Sequence, residues 1–339
     1  MNKIRVGVVG TGHLGKLHAS LYREIEQAEL VGIYDIDQEK AKRIGAELKV
    51  KSFESYEELL QAAEAVNIVT PTTTHFELAQ KALESELHIF LEKPITSTEE
   101  EAEKIISLAD EKKRILQIGH IERFNPAVLA LSDVELSPIF IESHRLASFN
   151  PRGTDVAVIL DLMIHDLDLI LSLVKSEAVQ IDASGVGVVS HTVDIANARI
   201  QFANGCVANV TASRISNKKM RKMRIFQPNA YISLDLVDGY SEIFYTTESG
   251  KLNFNDGTLA FSLGQIDAGG IKKEIKYNKL QRGGINPLKQ ELSAFTESID
   301  SGIPPVVDGK AGLAALRLAN KVLTKIDEHT TLVMERSKS

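Results

Sequence analysis

Cysteine is almost absent: Cys206 stands alone in 339 residues. A single thiol forms no internal disulfide and no cysteine metal cluster, which leads us to expect a cytoplasmic protein. Long hydrophobic runs are missing too. No apolar stretch reaches the roughly 20 residues that a membrane-spanning helix needs. Positive charge is in deficit: 39 Lys and Arg against 46 Asp and Glu give a net charge of −7. That balance argues against nonspecific binding to nucleic acid or to an anionic membrane. The opening MNKIRVGVVG goes straight into an apolar, β-branched run, so no secretion signal is expected. There is no internal repeat and no low-complexity tract. What is present is an ordinary globular mixture, 43% hydrophobic and 25% charged, long enough for two domains or one large one.

The first third alternates strand-like and helical stretches. Ile4 to Val9 is an apolar run, followed by Gly10, Thr11, Gly12, His13, Leu14 and Gly15, and then by a helical pattern. This is GxGxxG between a strand and a helix. The first glycine permits a tight turn, the second admits a pyrophosphate, and the third lets helix and strand approach. The anion then meets a helix N-terminus. His13 offers mainly its backbone. A second strand, ELVGIYD, ends at Asp35, and 35 − 15 = 20 residues separate it from the last glycine. An acid at that spacing accepts ribose hydroxyls and repels a 2′-phosphate, so NAD is expected rather than NADP. Later helical stretches alternate with VKSF, AVNIVTPT, HIFLEKP and RILQIGH. The pattern predicts an α/β fold with a doubly wound parallel sheet of Rossmann type over residues 1–121. Ligands of such sheets lie beyond the carboxyl ends of the strands. Those ends carry Thr70, Pro71 and Thr72 with His75 shortly after, Glu92 and Lys93 before Pro94, and GHIERFNP with Arg123 and Asn125. His18 and His75 also read as packing or capping residues. No histidine stands in metal-ligand spacing, so no metal is expected.

Lys93 follows the apolar HIFL and precedes a proline that cannot continue the ladder. It is placed to donate to a substrate hydroxyl, with a solvated lysine in a connection as the alternative. VILDLMIHDLDLI, Val158 to Ile170, is a mostly apolar stretch that nonetheless carries Asp161, His165, Asp166 and Asp168. As an ideal helix it brings Asp161, His165 and Asp168 onto one stripe about 60° wide and points Asp166 elsewhere. The rest is apolar, so the helix is buried and its stripe faces a ligand, a cavity or a counter-charge.

Taken together, FLEKPITS, the glycine loop, VTPTTTHFELAQKAL and the Asp161/His165 pair resemble the Gfo/Idh/MocA oxidoreductases, over nearly the whole chain. The resemblance implies a second α/β domain, 122–339, built on a large, mostly antiparallel sheet, with the last helix able to pack back on the first domain. It also implies roles. Lys93 assists proton transfer and holds the substrate hydroxyl, while Asp161 and His165 complete the catalytic site. His165 would accept the hydroxyl proton, and Asp161 would orient its imidazole. Met163 stands where the family has a glycine, and the approach NPRGTDVAV holds only Gly153.

From Pro138 onward the chain reads as strands joined by short turns such as ANG and VDG. Few helices are left to cover both faces of such a sheet, so one face is expected to meet another subunit, as a dimer or tetramer. GHIERFNPA and SRISNKKMRKMRIFQPNAYISLDL are similar to a subgroup of the family that oxidises C3 of UDP-N-acetylglucosamine. A UDP-sugar needs cations at its diphosphate. Arg123 comes first, because it can lie between the domains. The basic island Arg214, Lys218, Lys219, Arg221, Lys222 and Arg224 comes second, with a charged strand edge as its alternative. Arg123 and Asn125 thus join Lys93, Asp161 and His165 as substrate candidates. Two other functions stay open: oxidation of inositol or a free sugar, and a non-catalytic NAD sensor.

Overall fold

Five short runs rich in Val and Ile become β1 (Ile4–Val9), β2 (Ala28–Tyr34), β3 (Ala65–Ile68), β4 (His88–Glu92) and β5 (Leu116–Gly119). The structure is a computed structural model and describes residues 3–150, 156–246, 261–268 and 271–336. The five strands pair in parallel in the order β2-β1-β3-β4-β5. Parallel strands covered on both faces are largely apolar, and β3 and β5 are buried at every residue, Asn67 and Gln117 included. The chain leaves β1 for β2 on one side and then for β3 on the other. Beyond the strand ends at that switch point is where sheets of this kind bind nucleotides.

The connecting helices are α1 (His13–Tyr22), α2 (Gln38–Leu48), α3 (Tyr56–Ala62), α4 (His75–Glu84) and α5 (Glu99–Lys112). Their starts are legible: Asp37, Ser55 and Thr98 each accept a hydrogen bond from a first-turn N–H, and Thr98 with Glu101 forms a capping box. The expected strand VKSF does not form. Only Ser52 bridges to Ile33, because few residues separate the end of α2 at Leu48 from the Ser55 cap.

The chain divides into two compact units, and the boundary departs from a single cut at residue 121. The first unit is Met1–Phe124 with Asn286–Leu316; the second is Asn125–Ile285 with Arg317–Ser339. In the second unit lie α6 (Pro126–Leu129), a π-helical turn (Ile159–Met163) and α7 (Ile164–Val174). Its strands are β6 (Phe140–Leu146), β7 (Ala178–Val186), β8 (Ile195–Phe202), β9 (Val207–Ser213) and β10 (Met220–Gln227). They continue with β11 (Ala230–Asp235), β12 (Tyr240–Thr246), β13 (Phe261–Ala268) and β14 (Ile271–Leu280). The nine-stranded sheet runs β13-β14-β12-β11-β10-β6-β9-β8-β7, and only β6 and β9 pair in parallel. Alternate residues such as Ile141, Met223, Ile225, Ile232, Leu234 and Ile243 are fully buried, which gives the sheet one core face.

The chain then returns to the first unit with α8 (Pro287–Ser301), and α9 (Gly309–Arg336) passes from the first unit into the second after Leu316. Leu288, Leu292 and Phe295 stand at helical spacing on α8 and join the core of Val6, Val8, Tyr22 and Phe90. No helix among the described residues is long and apolar enough to cross a membrane.

Candidate active site

The glycine loop has the geometry its spacing predicts. Gly10 has φ +88°, and a Cβ there would stand 2.5 Å from the Val69 carbonyl oxygen. A side chain on Gly15 would run into the Gly10 carbonyl. Gly12 differs: nothing lies within 4 Å of its Cβ position. It is the N-cap of α1, which has no side-chain cap and no acidic residue in its first turn. Uncapped N–H groups beside an open glycine form a cradle for a phosphate. His13 and Leu14 open the helix exposed, Leu14 at 38%.

Asp35 stands beside this loop and is 8% exposed. Its Oδ2 accepts the Thr11 N–H at 2.6 Å, the Thr11 hydroxyl at 2.8 Å and Lys40 Nζ at 3.1 Å. Its Oδ1 accepts the Asp37 N–H at 3.0 Å. Burial pushes this carboxyl up, but the bonds from Thr11, Asp37 and Lys40 outweigh it and hold the group below its ordinary value. The carboxylate therefore stays charged and ties the loop to the end of β2. Oδ1 accepts a single hydrogen bond and so has room for a ribose hydroxyl. These features fit a dinucleotide with a free 2′-hydroxyl. Thr11 and Lys40 were not singled out from the sequence as partners of Asp35.

After β3, the Thr74 hydroxyl donates to the Pro71 carbonyl and pairs with the Thr70 hydroxyl, both at 2.8 Å, and Thr72–Thr74 forms a 3₁₀ turn. His75 takes the packing position that its sequence context also offered. Its ring is 1% exposed, with Nδ1 at 2.9 Å from the Pro94 carbonyl and Nε2 at 3.0 Å from the Thr70 carbonyl. Burial holds its pKa below the ordinary value despite those carbonyls. His75 bridges the ends of β3 and β4: the neutral ring donates its one N–H to one of these carbonyls and lies against the other.

Lys93 follows β4 at its carboxyl end, on the same edge of the sheet as the glycine loop and Asp35. Glu92 before it is half-buried. Its Oε2 accepts the Lys93 N–H at 3.3 Å, and its Oε1 lies 3.2 Å from His18 Nε2. A Cβ on Gly119 would stand 2.9 Å from this carboxylate, so the glycine on β5 makes room for it. Burial raises the Glu92 pKa, but the hydrogen bond from His18, with the charge of Lys93, brings it below the ordinary value.

Asp161 and His165 lie in the second unit, both partly exposed. Asp161 sits in the π turn and His165 in the first turn of α7. The ideal stripe of 100° per residue therefore does not apply across this pair, since a π turn closes over five residues and widens the helix. Such turns are frequent at functional sites. Asp166 points away as expected: both its oxygens take hydrogen bonds from Arg145, at 2.7 and 3.0 Å, with both residues buried. Asp168 is 1% exposed, which sets it apart from Asp161 and His165. Gly153 lies outside the described residues.

The substrate candidates separate. Arg123 is half-buried in a 3₁₀ turn after β5. Asn125 caps α6 by accepting the Ala127 N–H, and its amide donates to the Leu236 carbonyl at 2.9 Å. Its amide oxygen and one amide hydrogen thus serve the fold. The basic island is not a strand edge, because β10 lies between β11 and β6. Arg214 is 4% exposed, pairs with Asp194 at 3.3 Å and bonds the Val156 and Val193 carbonyls. Lys222 pairs with Asp235 at 3.2 Å and Arg224 with Glu142 at 3.0 Å. These three serve the sheet; Lys218 and Lys219 are exposed. No group of three or more His, Cys, Asp or Glu suited to a metal occurs among the described residues.

The first unit thus carries a phosphate cradle, a ribose acid and a lysine, and the second carries an acid–imidazole pair. Comparison with known proteins accords with this division. Residues 4–120 match the family model described as the Gfo/Idh/MocA oxidoreductase family, NAD-binding Rossmann fold, and residues 142–232 match the Gfo/Idh/MocA C-terminal domain. The chain is 38% identical to a UDP-N-acetylglucosamine 3-dehydrogenase of Acidithiobacillus ferrooxidans, over 96% of this chain and 98% of that protein. A solved structure of that enzyme superposes with a TM-score of 0.86, covering 97% of this chain and 99% of the other. A myo-inositol 2-dehydrogenase of Thermotoga maritima is 24% identical over 98% of this chain and 99% of its own length.

Proposed function

The chain belongs to the Gfo/Idh/MocA oxidoreductase family, and on that premise we propose that it oxidises C3 of UDP-N-acetylglucosamine to the ketone with NAD. The carrying observation is the 38% identity to a UDP-N-acetylglucosamine 3-dehydrogenase along almost all of both chains. The inositol dehydrogenase is more distant at 24%. Glycine loop, Asp35 and Lys93 support the cofactor half of the reading.

Bound NAD supplies the hydride acceptor. Lys93 donates a hydrogen bond to the reacting hydroxyl oxygen and steadies its developing negative charge. His165 takes the hydroxyl proton as the carbon–hydrogen bond gives up its electron pair as hydride; ketone, NADH and one proton result. An imidazole, with an ordinary pKa near 6.5, is the side chain suited to act as base at neutral pH. Asp161, one turn earlier, orients the imidazole and balances the imidazolium. Arg123 is assigned to the diphosphate.

The reading includes a cytoplasmic homo-oligomer. On the face of the nine-stranded sheet opposite its core, Phe140, Phe226, Tyr231, Phe244 and Tyr277 stack in one row across five strands, with centroids 5.5, 5.1, 5.7 and 4.9 Å apart in turn. A row of aromatics with Phe226 36% exposed suits contact with a second copy.

The test follows NADH absorbance with the ketone trapped. UDP-N-acetylglucosamine should be oxidised and free N-acetylglucosamine should not. His165→Ala should lower kcat by on the order of 10²–10⁴ while binding NAD as before. Equal rates on the two sugars would sink the nucleotide-sugar reading.

A further inference from the structure

Behind Lys93 runs a buried polar chain that the proposed reaction does not use. Tyr22 and His18 stand four residues apart on one side of α1, and both are fully buried. The Tyr22 hydroxyl donates to Asn67 Oδ1 at 2.7 Å, and Asn67 Nδ2 lies 3.0 Å from His18 Nδ1. His18 Nε2 then lies 3.2 Å from Glu92 Oε1, the other Glu92 oxygen accepts the backbone N–H of Lys93, and the Lys93 charge acts on the same carboxylate.

The order of donors fixes the direction. Because the Tyr22 hydroxyl donates to Asn67 Oδ1, the Asn67 amide presents its N–H to His18. His18 Nδ1 is then an acceptor, and in the neutral ring the proton sits on Nε2, aimed at Glu92. Every link donates toward the carboxylate, so the chain favours Glu92 as an anion. Burying a tyrosine, an asparagine and an imidazole to support one carboxylate is costly unless each bond is made. Packing alone would be met by apolar groups; the edge of the His18 ring already meets Phe90, with centroids 5.5 Å apart.

We propose that His18 and Glu92 are positioning residues that hold a fixed negative charge against Lys93 and so keep Lys93 cationic for activation of the hydroxyl. The proposal rests on the role given to Lys93 above. Its chemistry is simple: an anion beside an ammonium favours the charged amine, and an ammonium stabilises a developing alkoxide better than a neutral amine does. The titratable groups around the pair are Tyr22 from α1, His75 from α4 and, through Tyr22, Glu291 from α8. His75 is held neutral by burial, so it adds no competing positive charge at neutral pH.

The test reads Lys93 directly, without substrate or cofactor. Competitive acetylation of the full-length protein across pH, with mass spectrometry, gives the pH at which each lysine becomes reactive; exposed Lys104 is the internal control. Glu92→Gln should lower that pH for Lys93 by about one unit and leave Lys104 unchanged. His18→Ala should shift it in the same direction. His18→Gln, which keeps an N–H donor, should restore most of the wild-type value. If His18→Ala does not fold, Glu92→Gln and His18→Gln carry the comparison. An unchanged Lys93 profile in folded Glu92→Gln would reduce the chain to a structural role and overturn the proposal. Since no sugar enters the experiment, its outcome is separate from whether UDP-N-acetylglucosamine is oxidised.

Discussion

Lys40 lies 3.1 Å from Asp35 Oδ2, and this changes what an altered cofactor preference would require. A 2′-phosphate needs a cation close to the position of Asp35. The structure already supplies one. Asp35→Ser should weaken NAD binding about 10- to 100-fold, the value of one or two charge-assisted hydrogen bonds, and NADP should become usable through Lys40. Asp35→Ser/Lys40→Ala should then use neither cofactor well. Isothermal titration with both cofactors decides it; continued rejection of NADP by Asp35→Ser would remove Lys40 from this role. At this scale the sequence was most informative where backbone geometry dictates identity. Gly10, Gly15 and Asp35 were legible because a positive φ, a close approach and a strand end each demand a residue type. Thr11 and Lys40 were not, since a hydroxyl or an amine near an acid carries no periodicity. His75 was read both ways, because a histidine buried against backbone carbonyls and one that meets a ligand look alike in one dimension.

Among the elements, α7 shows how a buried charge can be recognised while its partner stays hidden. The all-round apolar pattern of Val158–Ile170 required each acid to be compensated, and Asp166 is, by Arg145 on β6. That arginine was read only as part of a strand, because pairing across 21 residues is a tertiary fact. The π turn was equally hidden, since a pattern analysed at 100° per residue assumes the α geometry that this turn breaks. The tie anchors the first turn of α7, where His165 stands. Asp166→Asn leaves a buried guanidinium without its counter-charge, which should cost about 3–5 kcal/mol. Urea unfolding should show the loss, and Asp166→Asn combined with Arg145→Met should recover part of it. A single mutant as stable as wild type would mean that the pair is already broken or hydrated in solution.

Across the whole molecule, the alternation of strands and helices made the parallel sheet legible, and the turn-separated runs after Pro138 announced the second sheet. The return of α8 to the first unit was not legible, although a return of the last helix was expected: an apolar stripe on α8 shows that the helix is buried, not which core it enters. Folding stability is the property to which both ends of that first sheet contribute. At its amino edge, opposite Lys93, His88 begins β4 and its Nδ1 accepts the Ile115 N–H at 2.9 Å. A ring that accepts there must be neutral. Burial, with the nearby positive charge of Arg114, lowers the His88 pKa from 6.5 to about 4. The unfolded chain therefore binds this proton near pH 6.5 and the folded chain only near pH 4. Stability is fully present above pH 6.5 and is lost as pH falls from there toward 4. Asp194 adds a second loss at lower pH: burial raises its pKa, but hydrogen bonds from Ser190, Val189 and Val188 hold it well below the carboxylate range. The two are separable with His88→Asn, whose side-chain oxygen can still accept the Ile115 N–H but does not titrate. Urea midpoints measured from pH 7.5 to pH 4.5 should fall more steeply for wild type than for His88→Asn. The shared carboxylate losses should cancel in the difference. Parallel curves for the two proteins would show that His88 is protonated at the same pH folded and unfolded.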